Sequence, residues 1–171
     1  MVDPDSRHDG LAAHARELLA ANRYLTLGTV SAGGQPWASP VYFSWHSPAA
    51  DTWEFLWMSA LDARHSVNVT ARPAVSVTVF DSTVQPYHGR AVYAVGEARE
   101  VPPEAFDETL IHYPGPADRG GSPIVREDVT GDSPWRLYRA AASELWVLCP
   151  REPRQGCPLH GIDRDHRARI R

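Results

Sequence analysis

The chain has 171 residues, of which 43% are hydrophobic, including six tryptophans, six tyrosines and four phenylalanines. That length predicts one domain with a substantial buried core. The formal net charge of −4 argues against general nucleic-acid binding, which usually shows a basic face. Because the first residues are charged and no apolar run approaches the length of a membrane span, we predict a cytoplasmic protein without a membrane partner.

Charge and cysteine content restrict the possible chemistry further. All 17 basic residues are arginine, which excludes any lysine-based mechanism and indicates a GC-rich coding bias such as actinobacterial genes show. Residues 151–171 hold six arginines and three acids and form a basic tail. Cys149 and Cys157 could form a disulfide or half of a metal site, but two thiols in a chain without a signal peptide are more often reduced. We therefore predict no metal ligand.

The predicted elements begin with an amphipathic helix over residues 6–23, where apolar residues recur at helical spacing. Strands over residues 24–30 and 37–45 flank the turn SAGGQP and form a hairpin. Pro40 cannot donate a backbone hydrogen bond, so it marks an edge or a bulge in the second strand. Further alternating runs predict strands over residues 53–59, 74–81 and 90–101.

Between the third and fourth strands, Ser59 and Asp62 have the spacing of a capping box and Pro73 is a stop signal, which predicts a helix over residues 61–72. The beginning of a helix presents unpaired N–H groups and a positive dipole end. With Arg64 and hydroxyl groups beside it, this place is suited to a phosphate. The alternative is a surface helix with a solvated arginine.

The second half of the chain contains a third predicted helix over residues 102–112, opened by proline. A long loop rich in Gly, Pro and Asp follows over residues 114–134. Residues 135–149 form a last predicted strand, with a small-residue kink from Ala140 to Ala142. His46, His88, His112 and His160 show no HExxH or other metal spacing, and we assign them no catalytic role.

Four segments in order, YLTLGTVSAGGQPWASPVYF, WEFLWMSALDARHSVN, ARPAVSVTVFD and RAVYAVGEAREV, resemble the flavin-binding split β-barrel of the pyridoxamine 5′-phosphate oxidase-like family, the flavin and deazaflavin oxidoreductases. The resemblance covers residues 24–101, nearly half of the chain. Together with the alternating runs, it predicts a mainly β fold, a six-stranded antiparallel Greek-key split barrel with flanking helices. We expect one domain, with an N-terminal helix in residues 1–23, the barrel in 24–150 and the basic tail in 151–171.

The resemblance implies that FMN is bound between two copies of the chain in a homodimer. Arg64 matches the family residue that clamps the cofactor phosphate, and Asn68, one helical turn beyond, could orient its guanidinium. A segment of the second strand matches the strand on which the flavin ring lies. The predicted cofactor-binding residues are Ser39, Pro40, Val41, Tyr42, Met58, Ser59, Ala63, Arg64, His65, Ser66 and Asn68. Because the redox chemistry would belong to the flavin, we predict no catalytic side chain.

Two departures from the family pattern argue against oxidation of vitamin B6 phosphates. Ser44 stands where the true oxidases carry a lysine that meets the substrate phosphate. Near the C-terminus, Pro158, Leu159 and His160 replace their Arg-x-His pair. Trp146 and the tail beyond it could still reach the flavin of a neighbouring subunit, as the equivalent region does in relatives.

Three functions are consistent with the sequence. The first is an FMN-dependent oxidoreductase acting on a small molecule, and the second is a reductase using the deazaflavin coenzyme, whose acidic tail needs a basic groove. The third is a binding module, either a flavin or haem carrier or a barrel without a cofactor. The absorption spectrum of the purified protein distinguishes them.

Overall fold

The computed structural model describes residues 4–49 and 52–170, with side chains from residue 10 onwards. The remaining residues of the predicted N-terminal segment and tail, 1–3 and 171, lie outside this description. The helices are α1 (Pro4–Ala21), α2 (Arg64–Ala71) and α3 (Phe106–Leu110). The strands are β1 (Tyr24–Val30), β2 (Pro36–Tyr42), β3 (Ser44–His46), β4 (Glu54–Ala60), β5 (Ala74–Phe80), β6 (Ala91–Glu100), β7 (Trp135–Leu148) and β8 (Arg167–Arg169).

All strand pairs are antiparallel and belong to one curled sheet in the order β2-β1-β5-β6-β7-β4-β3, with β8 paired to β7. This arrangement is a split β-barrel with flanking helices, and the predicted mainly β fold is confirmed. The predicted number of six strands is wrong, because the described residues form eight. The chain leaves β2 at Phe43, whose N–H bonds to the carbonyl of Arg23, and continues as β3 beside β4. The eighth strand comes from the tail.

The bend predicted near Ala140 corresponds to an irregularity in the pairing of β6 with β7. The register shifts between Val95 and Gly96, where Val95 pairs with Glu144 and Gly96 with Ala142, so Ser143 is the extra residue. A Cβ on Gly96 would collide with the carbonyl of Ala141. Glycine is therefore required where the two backbones approach most closely. β2 is a terminal strand of the sheet, which fits the edge position predicted from Pro40.

Helix α1 lies on β5, β6 and β7 and buries Leu11, Ala15, Leu18 and Leu19 against the barrel core. It ends at Ala21, two residues before the predicted end. Arg119 holds that end in place. Its buried guanidinium donates hydrogen bonds to the carbonyls of Leu19 and Ala20, both at 3.0 Å, and to that of Phe43 at 2.7 Å. Through these bonds the long loop predicted over residues 114–134 is fastened to the helix terminus.

Helix α2 begins later than predicted, at Arg64 instead of Leu61. Its N-cap is Ala63, and no side chain caps the helix. The predicted capping box is therefore wrong, because Ser59 still belongs to β4 and its hydroxyl bonds to His65. The third predicted helix is also shorter. Pro103–Ala105 forms a 3₁₀ turn that leads into α3.

The basic tail folds back onto its own barrel. Its strand β8 pairs with the end of β7, with Ala168 opposite Val147. Ala168 and Ile170 are 9% and 1% exposed and join the main core. Within residues 4–49 and 52–170, we find no helix long and apolar enough to span a membrane.

Candidate functional site

Arg64 is exposed at the beginning of α2, where this helix meets the turn between β1 and β2. Its Nη2 donates to Oε1 of Gln35 at 2.9 Å, and its guanidinium lies 4.1 Å from the centroid of the Trp37 ring. In the described part of the chain, no carboxylate forms an ion pair with Arg64. The guanidinium is therefore held in position by neutral groups, and its positive charge is uncompensated.

His65 connects the three elements that surround this point. Its Nε2 lies 2.7 Å from Oγ of Ser59 on β4, and its Nδ1 lies 3.1 Å from Oγ of Ser39 on β2. Trp37 Nε1 donates to the same Ser39 hydroxyl at 2.9 Å. Burial lowers the pKa of His65 from 6.5, so the imidazole is neutral at pH 7. A neutral ring still offers one N–H donor and one acceptor.

The N-terminus of α2 adds backbone donors to this cluster. The first N–H groups of a helix have no partner within the helix, and its dipole places partial positive charge there. No side chain caps α2 after Ala63, and its first turn contains no acidic residue. Unpaired N–H groups, the neutral His65 and the uncompensated Arg64 thus converge. Ser39, Ser59, Ala63, Arg64 and His65 form what we call the cradle, whose donors and charge fit a phosphate.

Two residues predicted to bind the cofactor serve the fold instead. Asn68 is buried and its Nδ2 donates to Oγ1 of Thr29 at 3.0 Å, so it anchors α2 to β1 and does not orient Arg64. Ser66 is 1% exposed and faces the interior. Together with Val69, these two are the buried residues of α2 and form the side that packs against the barrel. The exposed Arg64 lies outside that side.

The other predicted residues on β2 and β4 are spread along the strands beyond the cradle. Pro40 is exposed, whereas Val41 is buried in the core. Tyr42 is half-buried and donates its hydroxyl to the carbonyl of Pro114 at 2.9 Å. Met58 is half-buried and packs with a second hydrophobic cluster around Phe106. Of these four, Pro40 alone offers a side-chain surface directly to a ligand.

Gln35 and Trp37 hold Arg64 but were not predicted. Their proximity to Arg64 depends on how the β1–β2 turn packs against α2, a contact between residues 29 positions apart for Gln35. The run GQPW gave one usable signal, since a tryptophan beside a turn is unusual for a solvent-facing position. Trp37 is 41% exposed.

A broad open groove begins at the cradle strand β2 and crosses the outer face of the sheet. Its volume is about 1130 Å³, and its wall includes β1, β5, β6 and β7. Small side chains predominate, among them Gly28, Ala38, Ser76, Gly96 and Ala141. Such a flat face of small residues allows close approach of a large planar group or of another backbone.

The histidines singled out in the sequence lie at three separate places. His46 and His112 stack with ring centroids 4.0 Å apart, and His46 Nε2 lies 3.1 Å from a carboxylate oxygen of Glu54. Burial, with a contribution from His112, lowers the pKa of His46. His88 faces Glu152 at 3.6 Å. None of these three belongs to the cradle, and His160 lies beside the two cysteines.

The family model described as Pyridoxamine 5′-phosphate oxidase matches residues 11–149. The chain belongs to this family. The match includes the cradle, the groove and all strands from β1 to β7, and it confirms the resemblance read from the sequence. No curated protein matches the chain.

Solved structures of the family's fold are similar over most of the chain. A haem-binding protein from Mycobacterium smegmatis has 17% identity and a TM-score of 0.64 over 99% of this chain, which spans 60% of that protein. HutZ, the haem storage protein from Vibrio cholerae, has 17% identity and a TM-score of 0.59, covering 82% of this chain and 96% of HutZ. An F420 reductase has 21% identity and a TM-score of 0.52, covering 76% and 94%. At such identities the likeness establishes the fold.

Proposed function

We propose that this chain is a flavin-dependent oxidoreductase that binds FMN with its phosphate in the cradle and acts on a small molecule. The observation that carries this proposal is the uncompensated Arg64 at the uncapped beginning of α2. A guanidinium without a carboxylate partner, next to unpaired N–H groups, favours a dianionic phosphate. Structural arginines more often find an acidic partner, as Arg151 does with Asp165 at 2.6 Å.

Each residue of the cradle has a defined task in this proposal. Arg64 supplies charge and two parallel donors, while Ser59 and His65 supply further hydrogen bonds. Pro40 on the edge strand offers an apolar surface to the ring without a competing N–H group. The flavin, when bound, supplies hydride and electron transfer. The protein holds the ring, shields it from water and leaves one face accessible to substrate.

We also propose that the outer groove is covered by a second copy of the chain, as the family resemblance implies. The groove wall is apolar and made of small residues, and it adjoins β2 at Trp37. A two-fold dimer places the same face of each copy against the other. The cofactor would then be enclosed by both chains, and the exposed sheet would be hidden from solvent.

Vitamin B6 phosphates do not fit this site. Ser44, in the place of the family lysine, is 2% exposed on β3 and carries no charge. Pro158 replaces the arginine of the Arg-x-His pair, and its neighbour His160 points to the two cysteines. FMN-loaded protein should therefore not oxidise pyridoxine or pyridoxamine phosphate at an enzymatic rate, and robust turnover of either compound contradicts this assignment.

Two alternatives use the same fold. The deazaflavin coenzyme also carries a phosphate that Arg64 could hold, and an F420 reductase is among the structural relatives. Haem binding is the third possibility, since two relatives are described as binding or storing haem. The phosphate-directed cradle favours a phosphorylated cofactor over haem.

The deciding experiment is a spectrum of the purified protein followed by mass spectrometry of the released cofactor. FMN absorbs at about 450 nm, the deazaflavin coenzyme at about 420 nm, and haem shows a Soret band. FMN titrated into cofactor-free protein should saturate at one per chain, with sedimentation of a dimer of 18.9 kDa subunits. Failure of FMN to bind, or a stable monomer at micromolar concentration, would refute the proposal.

A further inference from the structure

Four potential metal ligands converge where the end of β7 meets β8. The Sγ atoms of Cys149 and Cys157 are 3.1 Å apart. Nδ1 of His160 lies 3.5 Å from the first sulfur and 3.6 Å from the second. Nε2 of His166 lies 3.1 Å from Nδ1 of His160. All four atoms fall within 4.8 Å of one another.

These distances resemble the edges of a tetrahedral zinc site. With Zn–S bonds of about 2.3 Å and Zn–N bonds of about 2.05 Å, the edges are about 3.8 Å for S–S, 3.6 Å for S–N and 3.3 Å for N–N. The two S–N distances and the N–N distance are close to these values. The Cys149–Cys157 separation of 3.1 Å is shorter than the S–S edge, yet far longer than a disulfide of about 2.05 Å. Both cysteines are free thiols.

The protonation state of His166 is set by a neighbouring backbone group. Its Nδ1 lies 3.1 Å from the carbonyl oxygen of Arg164. A carbonyl oxygen only accepts, so Nδ1 carries the hydrogen and Nε2 presents its lone pair to His160 and the sulfurs. Metal-ligating histidines typically donate their second N–H to such a carbonyl, which fixes the orientation of the ring.

Backbone hydrogen bonds position the ligands in pairs. The N–H of Cys149 donates to the carbonyl of His166 at 3.0 Å, which extends the β7–β8 ladder by one step. Cys157 and His160 lie on one tight turn, in which the N–H of Gly161 donates to the carbonyl of Cys157 at 2.7 Å. Gly161 has a φ of +68°, which favours glycine. The spacing C-x7-C-x2-H-x5-H is therefore built by a strand pair and a turn.

We propose that Cys149, Cys157, His160 and His166 bind one Zn²⁺ ion in a closed structural site that fastens the tail to the barrel. Two thiolates neutralise the ion, and two imidazoles complete four ligands without leaving a position for substrate. Thiolate and imidazole together select zinc over magnesium or calcium. The cysteines are 3% and 2% exposed, so the thiolates lie in a shielded place.

The tail has a physical need for such a fastening. Strand β8 contains three residues, and the segment before it consists of turns without a helix or further strand. Ala168 and Ile170 nevertheless lie in the core. A metal that joins β7 to both the turn and β8 would hold them there, because ligand binding to the folded form alone stabilises that form.

The first test is the metal content of protein purified under reducing conditions without a chelator. Elemental analysis by mass spectrometry should find about one zinc per chain. The variants Cys157→Ser and His166→Gln should retain less than a tenth of that amount, while His88→Gln, which alters an exposed histidine outside the cluster, should retain all of it. Zinc-free wild-type protein that does not take up added Zn²⁺ would overturn the proposal, as would equal zinc in the ligand variants.

A second measurement uses the wild-type chain, because a ligand variant could fail to fold. Co²⁺ substituted into metal-free protein should give tetrahedral ligand-field bands with thiolate charge-transfer bands. Trypsin should cleave in the tail, for example after Arg154 or Arg164, at least tenfold faster once zinc is removed, and added Zn²⁺ but not Mg²⁺ should restore resistance. An octahedral cobalt spectrum, or cleavage that does not respond to chelation, would contradict the site.

Discussion

Replacing Arg64 with alanine tests the cradle directly. In the FMN-bound protein, the guanidinium would make two charge-assisted hydrogen bonds to the phosphate, each worth about 1.5–3 kcal/mol. Arg64 is exposed, so solvent reduces the gain, and it must also release Gln35. A net loss of about 1.4–4 kcal/mol remains, which corresponds to a tenfold to thousandfold weaker FMN affinity.

The stability of the cofactor-free barrel should hardly change in the same variant. Arg64 contributes one exposed hydrogen bond to a neutral amide and one cation–π contact with Trp37. An exposed contact of this kind is worth about 0.5–1 kcal/mol. Its charge lies at the positive end of the α2 dipole, which offsets part of that gain. We expect a decrease in Tm of a few degrees at most.

The assay is FMN titration by fluorescence quenching, with a thermal melt of each cofactor-free protein. Arg72→Ala is the matched control, because Arg72 is also exposed and donates to a carbonyl of the same turn, that of Ala32 at 2.9 Å, but from the other end of α2. It should keep wild-type affinity. If Arg64→Ala binds FMN as tightly as the control, or melts much earlier while binding normally, the residue braces the fold and the cradle is wrongly assigned.

Three further predictions concern pH, packing and assembly. Burial lowers the pKa of His65 and, as the largest cause, that of His14 and His46, so the unfolded chain takes up protons first as pH falls below 6.5. The Tm of the cofactor-free protein should fall between pH 6.5 and 5, less steeply in His65→Gln, and a flat profile contradicts this. Gly96→Ala forces a side chain against a backbone carbonyl and should cost about 1–3 kcal/mol in denaturant unfolding, which an unchanged midpoint would refute. Ala141→Arg should make sedimentation detect monomers, and a persistent dimer would exclude the groove as the interface.

The barrel could be predicted because its signal is local. Alternation along each strand identified all six main strands, and β1 was predicted with its observed ends. The two additional strands have three residues each, which is too short for alternation to register. They form because β4 and β7 offer partners, a long-range condition that no local pattern contains.

The cradle was predicted in part for the same reason. Arg64 and Ser59 stand at a strand-to-helix junction, which the sequence reveals. The capping box failed because the hydroxyl of Ser59 bonds to His65 across six residues, and Ala63 takes the N-cap position. The error over Asn68 has a related origin. Spacing placed it one turn from Arg64, but only the fold shows that Thr29 lies beneath the helix.

The four proposed zinc ligands could not be recognised from spacing alone. His160 was considered singly, and Cys149 and Cys157 are separated by eight positions, which matches no common zinc motif. His166 comes into the cluster because β8 pairs with β7 and thereby places it opposite Cys149. The pairing of the tail with the barrel is what turns scattered residues into one group.

The cradle and the zinc site share no residue and lie on different elements, which makes the reach of the tail testable. The tail was expected to extend to the flavin of a neighbouring subunit, whereas here β8 and Ile170 pack on their own barrel. If the tail serves its own barrel, removing zinc should lower Tm and leave FMN affinity within about twofold, a change below about 0.5 kcal/mol. FMN titration of the metal-free and zinc-loaded dimers measures this. A tenfold weaker affinity after zinc removal would mean that the fastened tail helps to enclose the cofactor, directly or across the dimer.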